Sequence, residues 1–208
     1  LRQYAQSLAA KPLLTVISHG HPDHIYHMED FDVLWLNRAD WDFPLCALAG
    51  AELPKKCPQL CDVPDGMQFD LGGRILDVIA IPGHTMGSIL LFDRQTGILF
   101  SGDAVARRLL YGLTGCPPLA QFCDDLQKLQ LLPIRKIYSA HDRAALPPDY
   151  PAYMTRMLQT KLSAAAETWQ YPGFPLMRRL VAAHEASPDV FDAAVPDTLL
   201  LEENTHAI

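Results

Sequence analysis

The chain has 208 residues, of which 49% are hydrophobic and 20% charged, a composition typical of one globular domain. Its formal net charge of -7 argues against nucleic acid or an anionic membrane surface as a partner, because such binding needs clustered lysine and arginine. No apolar run approaches the roughly 18 residues that a membrane span needs. The five cysteines form no regular framework, which favours reduced thiols and a cytoplasmic protein.

The first third of the chain predicts a helix followed by two strands. Apolar residues at helical spacing predict an amphipathic helix over residues 1–8. The apolar run at residues 13–17 predicts a buried strand, and residues 31–36 predict the next one. The proline-rich residues 38–64 are expected to be irregular.

Two hairpins come next, and helices dominate the prediction after them. Residues 67–71 and 74–80 flank Gly72-Gly73, and residues 88–93 and 98–101 flank a second turn. Apolar spacing then predicts further elements: a helix at Leu119, Phe122, Leu126 and Leu129, a strand at residues 136–139, a helix at Tyr153, Met157, Leu158 and Leu162, and a third helix at Leu176, Leu180 and His184. Residues 145–208 are therefore expected to be a helical part of the same domain.

A dense polar cluster follows the first predicted strand. His19, His21, Asp23 and His24 lie within six residues, and imidazole and carboxylate groups are ligands of zinc, iron or manganese. Residues two apart point in different directions on a helix, so this spacing fits a turn. We expect His19 and His21 to face one centre while Asp23 and His24 curl towards a second.

Three later strands each end at one further candidate ligand: His84, Asp103 and His141. Alone, each is weak evidence, since a loop histidine or a helix-capping aspartate is common. Together they are specific, because loops at strand ends are where a rigid scaffold presents a site.

These motifs resemble, in order and approximate spacing, those of the metallo-β-lactamase superfamily. The resemblance covers residues 13–142 and rests on four elements: His19-x-His21-x-Asp23-His24, Gly83-His84-Thr85, Gly102-Asp103 and His141. It implies a single α/β domain over residues 1–208, folded as a four-layer αββα sandwich with its site at one edge of the paired sheets. It also implies that the first metal is held by His19, His21 and His84, the second by Asp23, His24 and His141, and that Asp103 bridges the two.

The implied cofactors are two divalent metal ions, zinc first, with iron and manganese as alternatives. Two such cations carry four positive charges, and Asp23, Asp103 and a bridging hydroxide carry three negative ones. The remaining charge of roughly plus one favours a substrate that carries or develops negative charge. Asp23 and Asp103 are accordingly the candidate catalytic carboxylates.

The expected function is hydrolysis of a small-molecule thioester, ester or lactone by a metal-bridging hydroxide. The second-metal set resembles that of hydroxyacylglutathione hydrolases, although their basic glutathione-binding segment has no match after His141. Asp103 stands where some true β-lactamases carry cysteine, and His21 where many lactonases carry aspartate. The alternatives are a mono-iron sulfur oxygenase of the same fold, a phosphodiesterase or nuclease, and a non-catalytic metal-binding domain. The acidic charge weighs against a nuclease, and the full ligand set weighs against a non-catalytic domain.

Several polar residues lie outside the motifs. Three histidines match no motif position: His27, His184 and His206. Arg107 and Arg108 follow Asp103 and are either anion-binding residues or a solvated pair. The substrate and the oligomeric state are left open.

The resemblance also begins late in the domain, so the chain is expected to lack the N-terminal strands of the fold. The sequence contains no Asp-Thr-Gly, the turn that ends those strands in the superfamily. We therefore expect an unpaired edge beside residues 13–17 and an exposed apolar patch. Strands from residues 198–202 covering that edge would contradict this expectation.

Overall fold

The computed structural model describes residues 1–42, 58–111, 116–161, 167–171, 174–182 and 191–196. Its α-helices are α1 (Arg2–Ser7), α2 (Pro22–Ile25), α3 (Leu119–Lys128) and α4 (Tyr150–Lys161). Short 3-10 turns lie at Met28–Asp30, Arg38–Asp40 and Leu129–Leu131. Among the described residues, no helix is long and apolar enough to cross a membrane.

The strands of the described residues are β1 to β11 in chain order: Val33–Trp35, Gln59–Cys61, Gln68–Asp70, Ile75–Ala80, Ile89–Asp93, Ile98–Gly102, Arg108–Leu110, Lys136–Ser139, Glu167–Tyr171, Phe174–Ala182 and Phe191–Pro196. They form a five-stranded sheet of order β3-β4-β5-β6-β8, a four-stranded sheet of order β7-β11-β10-β9, and the parallel pair β1-β2. The two predicted hairpins are confirmed as β3-β4 and β5-β6. Gly72 and Gly73 both have positive φ in the first turn, which a side chain would resist.

Apolar residues pack on both faces of the five-stranded sheet, although Phe100 of β6 and Tyr138 of β8 stay 43% exposed, and strand alternation assigns the residues to the two faces. Leu90 and Phe92 of β5 join the core formed with α3 and α4, whereas Ile89 and the half-buried Leu91 join the opposite core with Val16. Complete burial of each such side chain contributes about 1.5–3 kcal/mol. This layered α/β arrangement places α3 and α4 on one face of the sheet, and β1 with the segment around Val16 on the other.

Three predictions in the first third of the chain need adjustment. Residues 13–17 are extended, but they pair through a single parallel bridge between Val16 and Trp35 rather than a ladder. The segment predicted to be irregular contains β2, which pairs with β1. Helix α1 forms as predicted but buries none of its residues, so its spacing does not reflect a core-facing side.

The helix predicted at Leu176, Leu180 and His184 is wrong, and the expected helical part at residues 145–208 contains strands β9, β10 and β11 as well as a helix. Helix α4 forms as predicted, but Phe174–Ala182 is a strand that pairs antiparallel with β9 and β11. A spacing of four residues fits one side of a helix and equally one face of a strand, so the spacing could not distinguish them. His184, His206 and residues 198–202 lie outside the described residues.

Candidate metal centre

The five-stranded sheet brings the three later candidate ligands to one edge. Strand β5 runs antiparallel to both β4 and β6, and β8 runs parallel to β6, so β4, β6 and β8 all point the same way. Their carboxyl ends therefore meet at the same edge. His84 follows β4, Asp103 follows β6, and His141 follows β8.

The first motif reaches this edge along the extended segment beside β1. The amide of Ile17 donates to the carbonyl of Trp35 at 2.8 Å, and the amide of Ile89 donates to the carbonyl of Ser18 at 2.9 Å. Gly102 has a φ of +53° and lies so close to Ser18 that a Cβ would approach its Oγ to 2.7 Å. The start of the motif is thus held against the ends of β4 and β6.

The rest of the first motif forms the short helix α2 (Pro22–Ile25) rather than the extended turn that its spacing predicted. His21 is the N-cap residue, with extended φ and ψ of -68° and 150°, and Pro22 takes the first helical position. Asp23 and His24 lie within this short helix. His19 and His21 belong to one possible metal-binding group and Asp23 and His24 to another, while His24 also groups with His19 and Asp103.

Three buried histidines form the first group: His19, His21 and His84. The Nε2 of His19 lies 3.1 Å from the Nδ1 of His21 and 3.1 Å from the Nε2 of His84. Their exposures are only 1%, 8% and 3%, so the facing nitrogens are shielded from water.

The second group is Asp23, His24 and His141, with Asp103 between the two groups. The Nε2 of His141 lies 3.1 Å from Oδ2 of Asp23. Oδ2 of Asp103 lies 3.3 Å from Nε2 of His141 and 3.5 Å from Nε2 of His84, while its Oδ1 lies 3.5 Å from Nε2 of His24. One carboxylate thus faces imidazoles of both groups.

Burial keeps the histidines of the first group neutral. It lowers the pKa of His21 to about 3, with a further contribution from His84, and it lowers the pKa of His19 and His84 as well. Burial opposes ionisation of Asp103, yet the neighbouring His24 and His84 lower its pKa overall. Neutral imidazoles beside an ionised carboxylate are the protonation states that bind a divalent cation.

The ring orientation of His84 tests whether a cation fits. Its Nδ1–H donates to the carbonyl of Leu110 at 2.7 Å, and a carbonyl only accepts, so the Nε2 of the neutral ring carries a lone pair. That lone pair faces the nitrogen of His19 and the carboxylate of Asp103. The lone pair of His84 and the carboxylate oxygen of Asp103, 3.5 Å apart, repel each other unless a cation lies between them, so the donor set fits a metal ion.

Unsatisfied polar atoms point to the same conclusion. Buried side-chain atoms at this edge have no hydrogen-bond partner among the described residues: Nε2 of His21, Nε2 of His24 and Oδ1 of Asp103. Buried polar groups without partners cost about 1–3 kcal/mol each, and their concentration at one point indicates a ligand site.

The other candidate residues lie elsewhere or play supporting parts. His27 has a 57% exposed side chain, lies 3.9 Å from Asp30 and joins neither group. The amide of Arg107 donates to Asp142, so the backbone of Arg107 packs beside the His141 loop, while Arg108 is exposed in β7. Cys61, the last residue of β2, is a free thiol.

Two supporting contacts were not predicted from the sequence: the carbonyl of Leu110 on His84, and the carboxylate of Asp40, which contacts the loops of both His19 and His84. Every residue has a backbone carbonyl, so the sequence does not indicate that the one of Leu110 accepts from His84. Asp40 had only an indirect signal in the sequence, namely Gly20 between His19 and His21 and Gly87 three residues after His84.

Comparison with solved structures identifies the fold. A metallo-beta-lactamase family protein from Thermus thermophilus matches with a TM-score of 0.59 at 20% identity, over 74% of this chain and 63% of that one. The protein TTHA1623, solved in a di-iron-bound form, matches with a TM-score of 0.58 at 25% identity, over 73% and 80%. The chain has the metallo-β-lactamase fold. The resemblance predicted from the motifs is thereby confirmed.

Sequence relatives of this metallo-β-lactamase-fold chain are hydrolases by name. Acyl-coenzyme A thioesterase MBLAC2 of Homo sapiens is 31% identical over 130 residues, covering 50% of this chain and 45% of the relative. A hydroxyacylglutathione hydrolase of Roseobacter denitrificans is 29% identical over 135 residues, covering 62% and 48%. The chain thus spans about half the length of the curated relatives it matches. No protein-family model matches the sequence.

Proposed function

We propose that this chain is a binuclear metal-dependent hydrolase of small-molecule thioesters. The observation that carries the proposal is the position of Asp103, whose carboxylate faces His84 of the first group and both His24 and His141 of the second. A carboxylate has two oxygens, so it can bridge two cations while each group of side chains completes its own coordination. The first ion is assigned to His19, His21 and His84, the second to Asp23, His24 and His141.

The residues of the site set its charge and its geometry. When bound, the two cations lower the pKa of a shared water and stabilise the negative charge that develops on a carbonyl oxygen. The neutral histidines of the first group contribute lone pairs without charge, and Asp23 and Asp103 partly neutralise the cations. The site keeps a positive balance, which favours an anionic substrate or leaving group.

Exposure differs between the two groups and suggests the side from which substrate approaches. The first group is buried, whereas the side chains of Asp23 and His141 are 58% and 55% exposed. We infer that water and substrate reach the centre past the second group, and that the first group acts as its shielded wall.

The choice of a thioester rests on the relatives. Both an acyl-coenzyme A thioesterase and hydroxyacylglutathione hydrolases are named for thioester substrates, and these match at 29–31% identity. A thiolate leaving group also carries the negative charge that a positive centre stabilises. Esters and lactones present the same carbonyl chemistry and form the next substrates to test.

The test combines metal quantification with a substrate screen on the purified chain. Protein loaded with zinc, iron or manganese is analysed for metal content and assayed against acyl thioesters, lactones and phosphodiesters. Two metals per chain and a preference for thioesters would support the proposal. One iron and no second metal would contradict it and favour the sulfur oxygenase, and two metals without turnover would favour a binding domain. A preference for phosphodiesters would contradict the substrate class.

A further inference from the structure

The carboxylate of Asp40 is buried at 8% exposure and accepts three hydrogen bonds. Asp40 lies at the end of the 3-10 turn Arg38–Asp40, which follows β1. Its Oδ2 accepts from the amide of Gly20 at 2.7 Å and from the hydroxyl of Thr85 at 2.7 Å, and its Oδ1 accepts from the amide of Gly87 at 2.8 Å. Such short bonds to an ionised acceptor are stronger than bonds between neutral groups.

The three donors belong to the two loops that carry the first group of histidines. Gly20 stands between His19 and His21, and Thr85 directly follows His84. These loops are distant in the sequence, and Asp40 belongs to neither of them. We propose that Asp40 is a positioning residue that holds the two loops together, so that their three imidazoles converge on one metal ion. This inference rests on the proposed metal centre and deepens it.

The glycines of both loops are explained by the close approach of Asp40. A Cβ on Gly87 would lie 2.5 Å from the Cγ of Asp40, and a Cβ on Gly20 would lie 3.0 Å from its Cβ and 3.0 Å from its carbonyl oxygen. A real side chain at either position would push the carboxylate away from its donors. The two glycines therefore give the carboxylate the space to reach both loops.

The hydrogen-bond directions show that only a carboxylate suits this position. Both amides can only donate, and the ionised carboxylate can only accept, so the hydroxyl of Thr85 donates to Asp40. That hydroxyl then accepts from the hydroxyl of Ser88, whose oxygen in turn accepts from the amide of Thr85. An asparagine at position 40 would turn an NH2 group towards at least one of these donors.

Asp40 supports the ligands without being one of them. Both of its oxygens are occupied by protein donors, and it belongs to none of the metal-ligating groups among the described residues. Contacts of this kind orient ligands, and their loss typically weakens metal binding about 10- to 100-fold.

The experiment compares Asp40→Asn with a matched control, Asp93→Asn. Asp93 is another buried carboxylate, and it too accepts from a backbone amide and a threonine hydroxyl, those of Gln95 and Thr96, in addition to Arg74. It is the last residue of β5, at the opposite end of that strand from the ligand loops. Both variants should lose stability in urea, measured on metal-free protein. Only one of them should affect the metal centre.

The decisive measurement is a Co2+ titration followed by visible absorption, whose ligand-field bands report the coordination geometry. Asp40→Asn should bind the first Co2+ about 10- to 100-fold more weakly and show altered bands, while Asp93→Asn should match the wild type. Wild-type affinity and bands in Asp40→Asn would overturn the inference while leaving the metal centre intact. Wild-type protein that binds no Co2+ would overturn both.

A milder variant covers the case in which Asp40→Asn does not fold. Thr85→Val keeps the shape of the side chain and removes one of the three hydrogen bonds to Asp40, together with the bond between Thr85 and Ser88. Thr85→Val should also weaken binding of the first Co2+, but by less than Asp40→Asn does. If Asp40→Asn cannot be obtained and Thr85→Val binds Co2+ like the wild type, the inference is refuted.

Discussion

Gly83→Ala is the substitution that most directly connects the packing of the fold with its site. Gly83 immediately precedes His84, and a Cβ there would lie 2.3 Å from Cδ2 and 2.6 Å from Cε2 of Phe122. The shorter of these is about 1 Å inside ordinary contact distance. Phe122 is fully buried and stacks on Tyr111 with ring centroids 5.0 Å apart, so its ring has little room to retreat.

The expected cost is that of overpacking a core, about 1–3 kcal/mol of unfolding free energy. For a chain of this length each kcal/mol lowers the melting temperature by about 2–4 °C. Urea unfolding of metal-free protein measures the loss. Displacement of the Gly83 backbone should also move His84 and weaken binding of the first metal ion.

A double-mutant cycle tests the mechanism rather than the magnitude alone. Phe122→Leu removes the ring atoms that the new Cβ would meet, so Gly83→Ala should cost less in that background by about 0.5–3 kcal/mol. Gly66→Ala is the control, because Gly66 has a φ of +76° and a Cβ added there would meet no neighbour within 4 Å. Its cost should be the same in both backgrounds. Equal costs of Gly83→Ala in the two backgrounds would refute the reasoning.

Three further predictions concern the metal centre and the acid stability of the fold. Asp103→Asn should lower hydrolysis by more than about 100-fold while circular dichroism shows an intact fold. The reason is that the proposed bridge by Asp103 needs two anionic oxygens. Near wild-type turnover would refute the bridging assignment. His141→Ala should leave one metal per chain after dialysis in place of two, because His141 belongs only to the second group; loss of both metals would contradict that assignment. Thr96 and Arg74 lower the pKa of Asp93 to about 2 from 3.8. Between these two pKa values the unfolded chain binds more protons than the folded one. The stabilisation of the fold by ionised Asp93 is therefore complete above pH 3.8 and is lost as the pH falls towards 2. Urea midpoints measured across this window should fall less steeply for Asp93→Asn than for the wild type, and parallel curves would contradict the assignment.

The sequence predicted the hairpins and the candidate ligands because both depend on local chemistry. Gly72 and Gly73 mark a turn through the positive φ that a side chain would resist. His19, His21 and the later ligands stand out because imidazole and carboxylate groups follow directly after apolar strands. The order of these motifs was sufficient to indicate the fold.

The convergence of the ligands was decided by the tertiary structure. The parallel direction of β4, β6 and β8 places His84, Asp103 and His141 at one edge, and that direction depends on pairing between segments far apart in the chain. The C-terminal strand β10 was mistaken for a helix for a related reason, since a spacing of four residues is compatible with both structures and only pairing with β9 and β11 selects one.

Asp40 shows most clearly what the sequence alone could not determine. Its partners Gly20 and Gly87 are 20 and 47 residues away, on opposite sides of it in the chain. An aspartate at the end of a short turn has many ordinary roles, and no local pattern distinguishes a solvated carboxylate from a buried one. Local chemistry therefore determined which residues can bind a metal, whereas long-range strand pairing and one buried carboxylate determined where those residues meet.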